Sequence, residues 1–339
     1  MANVIFQIDG GIGKCIAATA VCAAIKKQHP NDDLIVLSGY PEVFLNNQNV
    51  TKSFQTGNSP YFWSDYIENK EIKLMLHNPY LEADYSQEKK HLIEIWCQMF
   101  GIKYNGELPE LFLTKRELDF YQKKYVSDKP IMIMQTNGGA NGNLKYSFAR
   151  DIPSGVVLEI INHFSDRYNI VHVRREDQIG YERTTPMTQG FREVLALTLL
   201  SSKRLLIDSF LQHACAALNL PSTVCWIVNS PKVFGYEMHD NIKANDFTRK
   251  PELRNSFLSK INFGGEPIEF PYNSEGEIFD VSKIIASLEE GDVVIPENLR
   301  IQSQEEFQEV NSVNSGVVAE EVGDMPQAEQ QADTVIGAE

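Results

Sequence analysis

Two successive strand–helix series predict an α/β chain of two doubly wound parallel-sheet domains facing a cleft. Three observations carry this expectation: short apolar runs that end in glycine or asparagine turns, apolar repeats at helical spacing between those runs, and a break in pattern near 126–130. At 339 residues the chain is long enough for two cores.

The first series opens with the strand "NVIFQI" (3–8) and a glycine turn. A helix follows in which Ile16, Ala20, Ala23 and Ala24 recur on one face, and His29-Pro30 stops it before the strand "DLIVLS" (33–38). Residues 50–127 are less regular. They hold an aromatic patch, "SPYFWSDY" (59–66), and helices near 91–100 and 115–126, and "YVSDKP" (125–130) reads as a connection. The second series is cleaner. Strands "IMIMQ" (131–135), "NIVHV" (169–173), "RLLID" (204–208) and "STVCWIV" (222–228) alternate with helices at 154–164, 191–202 and 209–220. The domain boundaries follow: 1–127, 128–277, a helix at 278–295 returning towards the N-terminal domain, and a disordered acidic tail at 296–339.

Composition narrows the function classes. Net charge is −15, and residues 301–339 supply nine of those charges with no Lys or Arg and one aromatic, Phe307. Such a segment buries too little apolar surface to offset its ordering entropy. An acidic body and tail argue against tight binding to a nucleic-acid backbone. No apolar run reaches the roughly 18 residues of a membrane span, and no basic-then-apolar leader opens the chain; a cytoplasmic protein is expected. The five cysteines have no CxxC spacing and read as buried reduced thiols, and the seven histidines form no metal-binding pattern. No metal and no cofactor are expected.

"DGGIGKC" (9–15) is close to a partition-ATPase phosphate loop but fails its chemistry. Asp9 stands where that loop needs a lysine, and Cys15 stands where a hydroxyl must ligate magnesium, an ion that prefers oxygen. What remains is a tight turn, Gly10, Gly11 and Gly13, that brings backbone N–H groups and a helix N-terminus near an anion or a polar sugar.

"GGIGKCIAATAVCAAIKKQHPNDDLIVLS" resembles the opening of family-9 glycosyltransferases, the heptosyltransferase-like group. "FREVLALTLLSSKRLLIDSFLQHACAALNLPSTVCWIV" is similar to the donor-domain segment of that family, where a strand leads to Asp-Ser-Gly-Pro-x-His-x-Ala-Ala. The likeness covers about residues 3–50 and 128–232. It implies the GT-B fold, with an acceptor on the first domain, a nucleotide-diphosphate sugar on the second as co-substrate, and no obligatory metal. It also implies donor-site roles for Asp208, Ser209, His213 and Lys145. Phe210-Leu211 departs from the Gly-Pro of the family. Lys14 departs further, because many heptosyltransferases carry there an aspartate that activates the acceptor hydroxyl.

The residues themselves support part of this. Asp208-Ser209 sits where a strand meets a helix, so Ser209 suits an N-cap and the first N–H groups suit a diphosphate. Lys145 and Arg150 can neutralise phosphate charge. Glu176, just past the strand 169–173, stands where doubly wound domains hold a ribose, and Arg174 can contact phosphate or pair with Glu176. A protonated Lys14 is no base and suits donor phosphate or an anionic acceptor. Asp9 is the nearest carboxylate, which leaves the general base unassigned. The expected activity is sugar transfer to a hydroxyl of a glycan, a protein or another acceptor, nucleic acid being the least favoured. A non-catalytic sugar- or nucleotide-binding protein, or a nucleotide-sugar epimerase or hydrolase, are the alternatives on this fold. Truncation after residue 300 is expected to leave the melting temperature unchanged and nucleotide affinity within a few-fold; a larger loss in either would show that the tail packs on the body.

Overall fold

Parallel strands covered on both faces read as continuous apolar runs, and the first strand obeys that rule. The computed structural model describes residues 2–125, 127–138, 147–188, 190–251 and 270–290, and the backbone of 301–302. In it β1 (Asn3–Ile8) leads through the glycine turn into α1 (Ile12–Gln28) and then β2 (Asp33–Ser38). Two strands that the apolar pattern did not reveal, β3 (Lys52–Gln55) and β4 (Ile72–Met75), complete a parallel sheet of order β3-β2-β1-β4. Both lie at sheet edges and are only partly covered, so polar residues such as Lys52, Gln55 and Lys73 are tolerated there, Lys73 pairing with Asp32 at 2.7 Å. The short α2 (Ala83–Ser86), α3 (Leu92–Met99), β5 (Leu113–Thr114) and α4 (Lys115–Lys124) follow. A reciprocal cap starts α4: Thr114 Oγ1 accepts from the Glu117 N–H, and the Glu117 carboxylate accepts from the Thr114 N–H.

The second series is β6 (Ile131–Met134), α5 (Ser154–Phe164), β7 (Asn169–Val173), β8 (Thr185–Met187), α6 (Phe191–Leu200), β9 (Ser201–Ile207), α7 (Phe210–Ala217), β10 (Thr223–Trp226), α8 (Pro231–Phe234) and β11 (Asp240–Lys243). It builds a six-stranded parallel sheet of order β11-β10-β9-β6-β7-β8. Side chains alternate across it with the period of two that a strand imposes. Ile133, Val171, Leu206 and Val224 enter the core shared with the first half, while Met132, Ile170, Leu205 and Cys225 enter a second core on the opposite face. β9 begins three residues earlier than its apolar run suggests. Its buried cations bond to carbonyls: Lys203 Nζ donates to Leu288 O at 2.6 Å, and Arg204 Nη1 to Ser201 O at 2.6 Å, while Arg204 Nη2 is left without a partner among the described residues.

The late helix corrects an expectation. α9 (Val281–Glu290) does not return to the first half; it packs on α5 and on β9 to β11. Its apolar stripe, Ile284 and Leu288, completes the outer core of the second sheet, and Glu289 pairs with His163 and Arg167 beside α5. Beyond α9 the backbone of β12 (Ile301–Gln302) pairs in parallel with β5, inside the stretch read as tail, and the rest of 296–339 lies outside the described residues. Among the described residues no helix is long and apolar enough to cross a membrane, and all five cysteines are buried and free.

α1 is buried along nearly its whole length, Lys14 to Ile25, rather than on one face. The reason is its place: it packs against α3 and also against α7 of the second half. Alanines on both helices, among them Ala17, Ala20, Ala214 and Ala217, allow a close approach within one continuous core. The approach is tightest at Gly13, where a Cβ would lie 3.1 Å from Phe210 Cα and 3.2 Å from His213 Cδ2. Gly13 is therefore a helix-contact residue and not, as its sequence position suggests, a turn residue of the first half alone. Gly13→Val is expected to cost about 1–3 kcal/mol, the scale of overpacking a tight contact. Urea unfolding followed by circular dichroism should show it; an unchanged midpoint would mean that the helices separate freely.

Candidate active site

In open parallel sheets ligands bind beyond the carboxyl ends of the strands, where strand order reverses. In the first sheet that point lies between β1 and β4, and in the second between β6 and β9. Both open on the same cavity of about 1110 Å³. The glycine turn after β1, Tyr40 and Glu42 after β2, and Tyr80 after β4 line one wall. Gln135, Asn137 and Gly138 after β6, Arg174 to Gln178 after β7, Asp208 and Ser209 after β9, and Asn229 after β10 line the other.

The second-sheet wall is built around the start of α7. Ser209 takes the N-cap position with extended backbone, but its hydroxyl does not cap the helix; it accepts from Gln135 Nε2 at 3.1 Å. The first N–H groups of α7 are thus left without a side-chain partner, and the first turn holds no acid. Nor does Asp208 cap. Its carboxylate accepts from Asn229 Nδ2 and lies 3.9 Å from Arg150 Nε. Burial pushes the Asp208 carboxyl upward, and Arg150 and Asn229 pull it back. Arg150 is anchored by packing over Gly138, where a Cβ would stand 2.4 Å from its Cδ. Asp151 clasps the same loop, accepting from the N–H groups of Gly138 and Ser147, each at 2.8 Å. Lys145 lies outside the described residues.

Arg174 does not pair with the Glu176 carboxylate. Its Nη1 donates to the backbone carbonyls of Arg175, Glu176 and Gln178 at 2.9–3.2 Å, so it shapes the loop after β7. Glu176 is exposed on the cavity wall at the end of that strand.

On the first-sheet wall, Gly10 has φ +112°, a backbone that L side chains rarely adopt, and this bends the chain from β1 into α1. Gly11 is the N-cap of α1, again with no side-chain cap and no acid in the first turn. Two uncapped helix N-termini therefore meet at one cavity. The partners of Lys14 belong to the first half: Nζ donates to Asn78 Oδ1 at 3.0 Å and sits 4.8 Å from the Tyr80 ring centre and 5.3 Å from that of Trp96. Ring faces attract the charged ammonium, while burial lowers its pKa and Asp9 and Cys15 oppose that fall. Asp9 is exposed, accepts from Gln7 Nε2 at 3.1 Å and is not among the lining residues, so it is poorly placed as a base.

One end of the cavity is shut by aromatics that sequence reading missed. Tyr80 and Tyr85 from the first half lie 6.2 and 6.0 Å, centre to centre, from Phe234 of the second. Behind them His91, His213 and His239 surround the buried Tyr236, whose hydroxyl lies 2.8 Å from His213 Nδ1. Burial drives their pKa values down, to about 4 for His91 and His239 and about 3 for His213, where the positive ends of His91, His239 and Arg150 add to the effect. His213 is thus a neutral packing residue that also lines the cavity. In sequence the cluster shows only as separate aromatics at 80, 85, 234 and 236, and nothing joins segments so far apart. Among the described residues no group of three or more His, Cys, Asp or Glu is placed to hold a metal ion.

No protein-family profile matches the chain, and no curated protein is significantly similar to it. Solved structures are similar in fold. The family-9 glycosyl transferase from Veillonella parvula is 12% identical with a TM-score of 0.59, over 85% of this chain and 96% of that one. The E. coli ADP-heptose lipopolysaccharide heptosyltransferase II is 11% identical with a TM-score of 0.59, over 86% and 99%. The dodecameric iron-containing heptosyltransferase TibC, solved with ADP-D-beta-D-heptose, is 12% identical with a TM-score of 0.60, over 85% and 76%. The fold is that of GT-B glycosyltransferases, as the two parallel sheets about one cleft already indicate.

The buried imidazoles set an acid limit on stability. Below pH 6.5 the unfolded chain takes up protons that the folded one refuses until about pH 4, so stability falls through that window. Each site is worth on the order of 2–3 kcal/mol by its lower end, less than additively because the rings share Tyr236. Denaturation midpoints at pH 7, 6 and 5 should decline, and His239→Asn should flatten the slope; a flat wild-type profile would show that the rings titrate normally.

Proposed function

We propose that this protein is a glycosyltransferase that moves a sugar from a nucleotide-diphosphate-sugar donor to an acceptor hydroxyl. One observation carries the reading: the bare N-terminus of α7 opens at the switch point of the second sheet, with Arg150 beside it and the bare N-terminus of α1 opposite. Aligned N–H groups in a site shielded from water stabilise the charge that grows on a departing diphosphate. In this reading the helix ends and Arg150, joined by Lys145, take the part that a metal otherwise plays, and no metal is obligatory. The donor lies on the second-sheet wall along Asp208, Ser209 and His213, with Glu176 at its ribose. The acceptor, a glycan or another hydroxyl compound, enters along Gly10, Gly11 and Lys14. Neighbours of the same fold bind ADP and ADP-heptose, which makes adenine the first nucleotide to try.

A non-catalytic nucleotide-sugar-binding protein is the second reading, and Lys14 favours it, because an ammonium held on two rings and Asn78 cannot take a proton from an acceptor. A thermal-shift panel of nucleoside diphosphates and their sugars is expected to raise the melting temperature, led by ADP compounds. Arg150→Ala should weaken nucleoside-diphosphate binding by about 1–3 kcal/mol with little change in unliganded stability. Release of nucleoside diphosphate from a bound donor distinguishes the transferase from the binding protein; a panel with no shift at all would overturn both.

A further inference from the structure

The base that the proposed reaction requires is absent from its expected place at Lys14. It must be a proton acceptor on the wall where the acceptor enters. The described groups of the cavity wall can be sorted by what already occupies them. Asp208 is taken by Asn229 and Arg150, and Asp177 by Arg175. Glu176 stands on the second-sheet wall, across from the acceptor side. The His213 ring is locked against Tyr236. Glu42 differs from all of these. It opens the 3-10 turn Pro41–Phe44 directly after β2, is half-buried, and is the one described carboxylate that lines the cavity from the first-sheet wall. No described residue hydrogen-bonds or ion-pairs with it.

We propose that Glu42 is the general base that activates the acceptor hydroxyl, in place of the residue lost at Lys14. The position of its charge supports this. Burial pushes the Cys15 thiol up to about 12, and among the lesser causes the Glu42 carboxylate raises it further. Cys15 lies in the first turn of α1, next to Lys14, so the carboxylate is near enough to that turn for its charge to be felt there. The inference rests on the transferase reading. In the step, the acceptor oxygen attacks the anomeric carbon of the donor while its proton passes to a Glu42 carboxylate oxygen. The new carbon–oxygen bond forms as the bond from that carbon to the diphosphate breaks, and the nucleoside diphosphate leaves with the electron pair. Glu42 then returns its proton to solvent. Lys14, held on Asn78, Tyr80 and Trp96, adds a fixed positive charge to that wall but takes no part in the transfer of the proton.

The test uses the whole chain, ADP-, UDP- and GDP-hexoses as donors, and either glycerol or sodium azide as acceptor, with release of nucleoside diphosphate as readout. Glycerol must lose a proton to react and azide need not. Glu42→Gln is expected to lower release to glycerol by about 10²–10⁴-fold, the usual worth of a positioned base. Its ADP dissociation constant should stay within two-fold, and release to azide should stay near the wild-type rate. Glu42→Asp should keep part of the glycerol rate. Full glycerol activity in Glu42→Gln, or equal loss with glycerol and azide, would overturn the role of Glu42 and leave the transferase reading standing. A wild type that binds ADP yet releases nothing from any donor to either acceptor would overturn the transferase reading and Glu42 with it.

Discussion

Everything at the cavity depends on the contact between the first turn of α1 and the first turn of α7. Gly13 lies so near Phe210 that a single methyl group would press on its backbone. Because the two helices begin at this contact, both of their free N–H ends face one space. The contact also ties the sheets into one continuous core, from Val4 and Phe6 through Ile16 and Ala20 to Leu206 and Leu211. Helix ends so placed can act together on one ligand, which two independently folded halves joined by a flexible link would not guarantee.

A second tie holds the halves through α4 and α6. Arg192 of α6 grips the Glu117 carboxylate of α4 through two bonds of 2.8 Å, and Glu193 binds Lys124 and Tyr125. The two ties differ in character. The α1–α7 contact is apolar and close-packed, while this one is ionic, partly exposed and weaker in water. Glu117 serves twice, since the same carboxylate caps α4. Tyr80, Tyr85 and Phe234 add an aromatic contact between the halves, and His91 stacks at an angle on Tyr236. The cavity therefore has a helix N-terminus on each wall, with rings and a caged ammonium added on the first-sheet side.

Much of the fold was legible because parallel strands buried on both faces have a plain signature. β1, β2, β6, β7 and β10 were visible as apolar runs, and α5, α6 and α7 as repeats between them. The edge strands β3, β4, β8 and β11 were not, because an edge faces solvent and admits Lys, Ser, Thr and Asn. α9 was visible as a helix but not in its destination, since an apolar stripe tells that a partner exists and not which one. Among site residues, Asp208, Ser209 and Arg150 do line one cavity, as their strand-end positions implied. Gln135, Asn229 and Glu42 went unnoticed, because each is an ordinary polar residue whose neighbours come from other strands.

The chain by itself determined the class of the fold, a cleft at the carboxyl ends of its strands and the presence of a glycine turn that is no ATPase loop. Those properties are local: apolar period, turn chemistry, and the identity of Cys15 and Asp9 set them without reference to distant residues. Only the tertiary structure decided what Gly13 and Lys14 are for. Gly13 serves a helix 197 positions away in sequence, at Phe210, and Lys14 is claimed by Asn78, Tyr80 and Trp96 rather than by a phosphate wall. A glycine's need for space and a lysine's choice of partner depend on what packs against them, and that is fixed by the meeting of two sheets rather than by either segment alone.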